Sequence, residues 1–161
     1  MTKNVVYQDK VKSSPVVIAV LGLSVVVVLV IGSILYFQNN QTIDSGVAKT
    51  LAAVLILDLV VLISFREMKI VITDKQLSFG FLVFKKKIDL NKIEKFEIQD
   101  FKFNNYLGYG IRYGRDNTVG YVPCGGRGLK IKVSGERKDF FFICNRPEEI
   151  MVFIKQYGAQ K

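Results

Sequence analysis

The sequence contains no histidine. That absence removes the commonest general base near neutral pH and the commonest nitrogen ligand for metals. Cysteine is nearly absent too: Cys124 and Cys144 are the two present, and they do not form a Cys-x-x-Cys pair. Two isolated cysteines supply neither a disulfide framework nor a zinc site. Cys124 as a nucleophile would need a base, and no histidine supplies one. The carboxylates are scattered along the chain rather than paired. The residues thus predict a protein that is not an enzyme and that uses no metal and no cofactor.

Apolar residues and positive charge are abundant. Half of the 161 residues are hydrophobic, yet 23 Lys and Arg face 14 Asp and Glu, for a formal net charge of +9. Segregation explains such a mixture, with one part of the chain apolar enough for a membrane and another forming a basic globular module.

Residues 15–37, PVVIAVLGLSVVVVLVIGSILYF, carry no charge. The run exceeds the roughly 20 residues that cross a hydrocarbon core. It is too long for the apolar region of a signal peptide, and no small-x-small cleavage site follows it. Its valines are poor helix formers in water, but in lipid an unpaired backbone costs more than any propensity. Residues 46–65, GVAKTLAAVLILDLVVLISF, form a second expected span, with Lys49 at one end snorkelling to the headgroups. Residues 38–45 make a short polar loop without Lys or Arg, whereas Lys3, Lys10 and Lys12 precede the first span and Arg66 and Lys69 follow the second. The positive-inside rule then places both termini in the cytoplasm. The expected organisation is a cytoplasmic tail over 1–14, transmembrane helices over 15–37 and 46–65, an external loop over 38–45, and a cytoplasmic domain over 66–161 of a multi-pass cell-membrane protein.

Asp58 is the costly residue in the second span, since an aspartate at a helix centre costs about 2.5–3.5 kcal/mol on insertion scales. Counting from the cytoplasmic ends puts it level with Gly22 and Ser24. Three readings follow: a protonated carboxyl bonded to Ser24 or a backbone carbonyl, a contact with another subunit, or part of an ion or proton path.

After Arg66 the periodicity changes. Met68, Ile70 and Ile72 alternate with polar or smaller residues, as do Leu77, Phe79 and Phe81, then Ile88 and Leu90, Phe96 and Ile98, and Leu129, Ile131 and Val133. Residues 139–144, DFFFIC, follow. Period-two runs broken by turns every 8–12 positions predict an antiparallel sandwich or barrel. Near the end, Asn145 and Glu148 suggest a capping box with Pro147 in the first turn. Ile150, Phe153, Ile154 and Tyr157 have the spacing of a helical apolar face. The expected fold is a membrane α hairpin followed by an α+β module of about seven antiparallel strands and a C-terminal helix.

Residues 72–98, ITDKQLSFGFLVFKKKIDLNKIEKFEI, resemble the opening hairpin of bacterial pleckstrin-homology-like domains in small prokaryotic membrane proteins. GYGIRYGRDNTVGYVPCGGRGLKIKVSG and FFFICNRPEEIMVFI resemble the later strands and closing helix of that group. The resemblance covers roughly residues 68–157 and implies a seven-stranded bent barrel capped by a helix. It implies no particular activity and transfers no site residue.

CGGRGLK (124–130) lacks the spacing of a phosphate-binding loop, and a strand-like alternation follows it rather than a helix, so it reads as a turn. GYGIRYG (108–114) reads as a strand with interleaved aromatics. Residues 66–161 hold 19 Lys and Arg against 11 Asp and Glu, enough to attract a polyanion. No nucleic-acid motif is present, however, and no nucleic-acid partner is expected. With only two or three residues between the second span and the first strand, the module must rest on the inner leaflet. Lys85, Lys86 and Lys87, with Arg112, Arg115 and Arg127 near turns, are then candidate contacts for anionic lipid headgroups or an acidic partner. A solvated strand end that blocks edge-to-edge pairing is the plainer explanation of the lysines. The expected role is a membrane-anchored interaction module that binds a protein partner, a second copy or anionic headgroups. The alternative is an accessory subunit of a transport or channel-like assembly with Asp58 at the intramembrane interface.

Overall fold

The two apolar runs form the longest helices, α1 (Pro15–Gln38) and α2 (Ser45–Ser64). The structure is a computed structural model and describes residues 4–38 and 44–158. Most of the loop expected over 38–45 lies outside the described residues, as does Lys3. At 24 and 20 residues the helices measure about 36 and 30 Å at ~1.5 Å per residue. Both are long and apolar enough to cross a membrane. The Asp44 carboxylate accepts from the backbone N–H groups of Gly46 and Val47 and starts α2. No residue of α1 is buried, and in α2 only Ser64 is. Water does not tolerate that much uncovered apolar surface on a lone chain.

The remaining chain forms nine strands among the described residues, rather than about seven. The first precedes the helices. Residues expected to be a tail form β1 (Val5–Lys12), which pairs antiparallel with β2 (Glu67–Thr73) from Lys12 opposite Glu67 to Val5 opposite Thr73. The globular module is therefore discontinuous, built from chain on both sides of the helical pair and not from 66–161 alone. β3 (Gln76–Phe81) and β4 (Lys85–Asp89) complete a four-stranded sheet in the order β1-β2-β3-β4.

A five-stranded sheet follows, built from β5 (Ile93–Asp100), β6 (Gly110–Tyr113), β7 (Thr118–Val122), β8 (Arg127–Val133) and β9 (Asp139–Ile143) in the order β5-β8-β9-β7-β6. β7 and β9 are parallel, which corrects the all-antiparallel expectation. The cause is topological. β7 and β8 are consecutive and run in opposite directions, and β9 inserts between them. Because β9 is antiparallel to β8, it must be parallel to β7.

The two sheets face each other across an aromatic core. Phe79 of β3 stacks on Phe142 of β9 at 4.4 Å between ring centres and meets Tyr121 of β7 edge-on at 5.1 Å. Met68, Ile70, Ile72, Leu77, Phe79, Phe81, Leu129 and Ile131 are fully buried, so the alternating positions do mark the core face. In β9 all of Phe140, Phe141, Phe142 and Ile143 are buried, because both faces of this strand are covered. The short helix α3 (Phe103–Tyr106) lies on the outer face, where Tyr106 stacks on Phe141 at 5.4 Å.

The closing helix α4 (Pro147–Gly158) buries Ile150 and Ile154 and packs Phe153 against Tyr7 of β1 at 5.4 Å. Asn145 does not act as the expected cap. Its side-chain amide donates to Asp9 at 2.7 Å and to the Lys10 carbonyl at 3.0 Å, tying the start of α4 to β1.

Candidate functional site

The chemistry-bearing surface closest to the helices is set by how α1 and α2 leave the first sheet. α1 begins three residues after Lys12, and α2 ends three residues before Glu67. The short links are stitched to the module. The Ser13 N–H donates to the Arg66 carbonyl at 3.1 Å, and the Ser13 hydroxyl donates to the Phe65 carbonyl. The Ser14 N–H donates to the Pro123 carbonyl at 2.7 Å, and the Leu82 N–H to the Ser64 carbonyl at 3.4 Å. Both sheets therefore hold the helix ends.

The turn between β3 and β4 lies at this junction. The Phe81 N–H donates to the Phe84 carbonyl at 3.1 Å and closes the turn. Gly80 makes this possible: its φ is +138°, and a Cβ there would lie 2.2 Å from the Phe84 oxygen. The turn presents Leu82, Val83 and Phe84 at 50%, 60% and 50% exposure, beside Phe65 at the foot of α2. Three consecutive exposed large apolar residues next to two uncovered apolar helices form one continuous greasy surface.

A groove opens on each side of the helix feet. The larger, about 790 Å³, has apolar walls from Ile18, Ala19, Ile63 and Leu82, and Lys12 and Arg66 at its polar end. The smaller, about 440 Å³, is walled by Val16, Val20, Val61 and Phe65 and ends at Arg112. The sequence offers Lys12 and Arg66 only as flanking charges that orient the spans, not as contact residues. The signal that would have found them is their position, within three residues of the ends of the apolar runs.

The six expected cations do not form one patch. Lys85 and Lys87 are exposed on the edge strand β4 and point to one face, while Lys86 points to the other. Lys86 is engaged internally: its ammonium pairs with Glu136 at 2.6 Å and lies 4.7 Å above the Phe140 ring. Arg112 donates to the Tyr109 carbonyl at 2.9 Å and sits at the helix junction. Arg115 is exposed in the turn between β6 and β7. Arg127 pairs with Glu148 at 2.7 Å.

The Asp58–Ser24 hydrogen bond does not form. The Ser24 hydroxyl donates to the Leu21 carbonyl in its own helix at 2.7 Å, the local bond a helical serine makes most readily. Asp58 is half-buried in α2 and has no hydrogen-bond or ion-pair partner among the described residues.

CGGRGLK forms a turn and the start of β8, and GYGIRYG contains β6. Burial pushes the Cys124 thiol up and holds the Cys144 thiol at about 12, so neither is a thiolate near neutral pH. Among the described residues no group of three or more Cys, Asp or Glu converges as metal ligands would. No protein-family model, no curated protein and no solved structure matches the chain.

Proposed function

We propose that the chain is a membrane-anchored, non-enzymatic contact module held against the cytoplasmic leaflet by its two apolar helices. The observation that carries this reading is the β1–β2 ladder, which runs up to the feet of both helices. A domain tied to both helices within three residues has no slack to stand away from the bilayer. If the helices span, the ladder also fixes both ends of the chain on one side of the membrane. The excess of Lys and Arg at the helix feet favours the cytoplasmic side.

The pleckstrin-homology-like character of the module is part of the proposal. Two facing sheets and a closing C-terminal helix support it, while the parallel β7–β9 pair and the strand before the helices depart from it. The raised thiols and scattered carboxylates argue against catalysis. Its contact partner is a protein, a second copy or the anionic headgroups of the leaflet.

Site-directed cysteine labelling in sealed, right-side-out vesicles tests the placement. Single cysteines at Gln8 and Gln156, introduced after Cys124 and Cys144 are replaced by Ala, should react with a membrane-impermeant maleimide only after the vesicles are opened. Labelling of both in intact vesicles would reverse the orientation, and labelling of one alone would break the hairpin reading.

Asp58 keeps a second reading in view. A half-buried carboxylate with no partner among the described residues suits an interface with another membrane subunit, as in a transport or channel-like assembly.

A further inference from the structure

The larger groove at the helix feet is amphipathic along its length. Toward the helices, Ile18, Ala19 and Ile63 give it an apolar floor, with Leu82 of the β3–β4 turn as a side wall. Toward the module its lining changes to charge: Lys12, Arg66 and Lys69 with one carboxylate, Glu67. Lys69 pairs with Glu67 at 3.2 Å. Lys12 and Arg66 are exposed and make no ion pair among the described residues. The groove thus carries a surplus of two positive charges at one end and none along its floor.

The position of the change matters as much as its sign. Lys12 lies three residues before α1, and Arg66 lies two residues after α2. In a spanning hairpin these are the positions level with headgroup phosphates, and the floor is level with the upper acyl chain. The neighbouring cations hold the Glu67 carboxyl below its ordinary value, first through its bond to Lys69 and then through the fields of Lys10 and Arg66, which marks this end of the groove as electropositive.

We infer that this groove is a binding site for one anionic phospholipid of the surrounding leaflet, its phosphate held by Lys12 and Arg66 and one acyl chain laid over Ile18, Ala19 and Ile63. The inference rests on the membrane placement proposed above and narrows the contact to a ligand class and a site. The candidate cations on β4 are not part of it. The backbone at Lys12 and Arg66 is already held by the β1–β2 ladder and the stitched links, so both cations start from the same end of the groove. The smaller groove, with a single arginine at its end, has half the unpaired charge and is the weaker of the two.

The full chain is reconstituted from vesicles of equal phosphatidylglycerol and phosphatidylcholine, extracted in mild detergent, and the retained lipid is counted by native mass spectrometry. The expected result is one phosphatidylglycerol per chain, enriched about thirtyfold over phosphatidylcholine, as two surface cations imply. The double variant Lys12→Gln/Arg66→Gln should bring the enrichment to about one, and Lys85→Gln/Lys87→Gln should leave it unchanged. Ala19→Phe, which keeps both cations and fills the floor, should also lose the lipid, so that the result does not depend on one variant's folding. Retention without preference for phosphatidylglycerol, or retention untouched by the double variant, overturns the site while leaving the membrane placement intact. Disulfide crosslinking of two chains through Ala19→Cys at high yield also overturns it, because a second copy then covers the groove. Release of the chain from membranes by alkaline carbonate overturns both the site and the placement on which it rests.

Discussion

Lys12 faces Glu67 across the β1–β2 ladder, each three residues from the helix it adjoins. This pairing makes the two apolar helices an insertion into one edge of a sheet, not a leader attached ahead of a separate domain. The sheet closes only when the chain returns from α2 to meet the strand that preceded α1.

Residues 66–158 alone should therefore not behave as a folded domain. Without β1, strand β2 becomes an open edge beside the fully buried Met68 and Ile70, and α4 loses the Tyr7–Phe153 contact and the Asn145 bonds to Asp9 and Lys10. An unprotected edge of this kind promotes association. Size-exclusion chromatography should find the fragment aggregated. A version with residues 4–13 joined to 66–158 by a short Gly-Ser linker in place of the helices should be monomeric with a cooperative thermal transition. A well-folded 66–158 fragment would show that β1 is dispensable.

Gly80→Ala should weaken the β3–β4 hairpin. The φ of +138° strains any residue with a Cβ, and the carbonyl of Phe84 occupies the space that Cβ would need. A forced left-handed residue costs about 1–3 kcal/mol, and the backbone clash adds to it. Thermal unfolding of the full chain in detergent measures the loss. Unchanged stability would mean that the turn relaxes freely. The same variant should disturb the apolar tip formed by Leu82, Val83 and Phe84, since Gly80 sets its approach to Phe84.

The core strands were readable because each turns one face to the interior. Met68, Ile70 and Ile72, and Leu77, Phe79 and Phe81, alternate cleanly and are all fully buried. The α4 stripe was readable for the same reason at helical spacing. β1 was not, because it is an edge strand in which Val11 alone is buried, and Lys10 and Lys12 look like tail charges. Strand direction was equally hidden, since apolar patterning carries no direction and β9, buried on both faces, does not alternate at all. Among the candidate cations the sequence could not separate Lys86 from its neighbours, because its partner Glu136 is 50 positions away. Position relative to the helix feet distinguishes Lys12 and Arg66, and that position became meaningful only once β1 was seen to pair with β2.

Acid should loosen the turn between β6 and β7. Burial pushes the Asp116 carboxyl up, but hydrogen bonds from Asn105 and Lys130, both at 2.9 Å, outweigh it and hold the group at about 2 against an ordinary 3.8. The folded state thus binds its proton less readily than the unfolded state. The stabilisation is present above pH 3.8 and fades as pH falls toward 2. The carboxyl is 33% exposed, so solvent screening limits the effect to about 1 kcal/mol. Asp116→Asn should lower the unfolding midpoint at pH 6 and leave it nearly unchanged at pH 2, as read by circular dichroism. Equal losses at both pH values would assign the residue a role unrelated to its charge.

Asp58→Leu separates a structural liability from a working contact. On the membrane reading, a carboxyl in the middle of α2 costs about 2.5–3.5 kcal/mol to insert, and no partner among the described residues offsets that cost, Ser24 being bonded to Leu21. If the lone chain is the functional unit, the leucine variant should unfold at higher temperature in detergent and keep the same elution volume. If Asp58 reaches across to another subunit, removing it should dissolve that assembly, and the variant should elute as a smaller species than the parent. Thermal unfolding and size-exclusion chromatography on the same detergent sample read both. Higher stability with unchanged size would remove the transport-assembly reading, because an interface carboxylate of functional weight cannot be exchanged for leucine without loss of its partner.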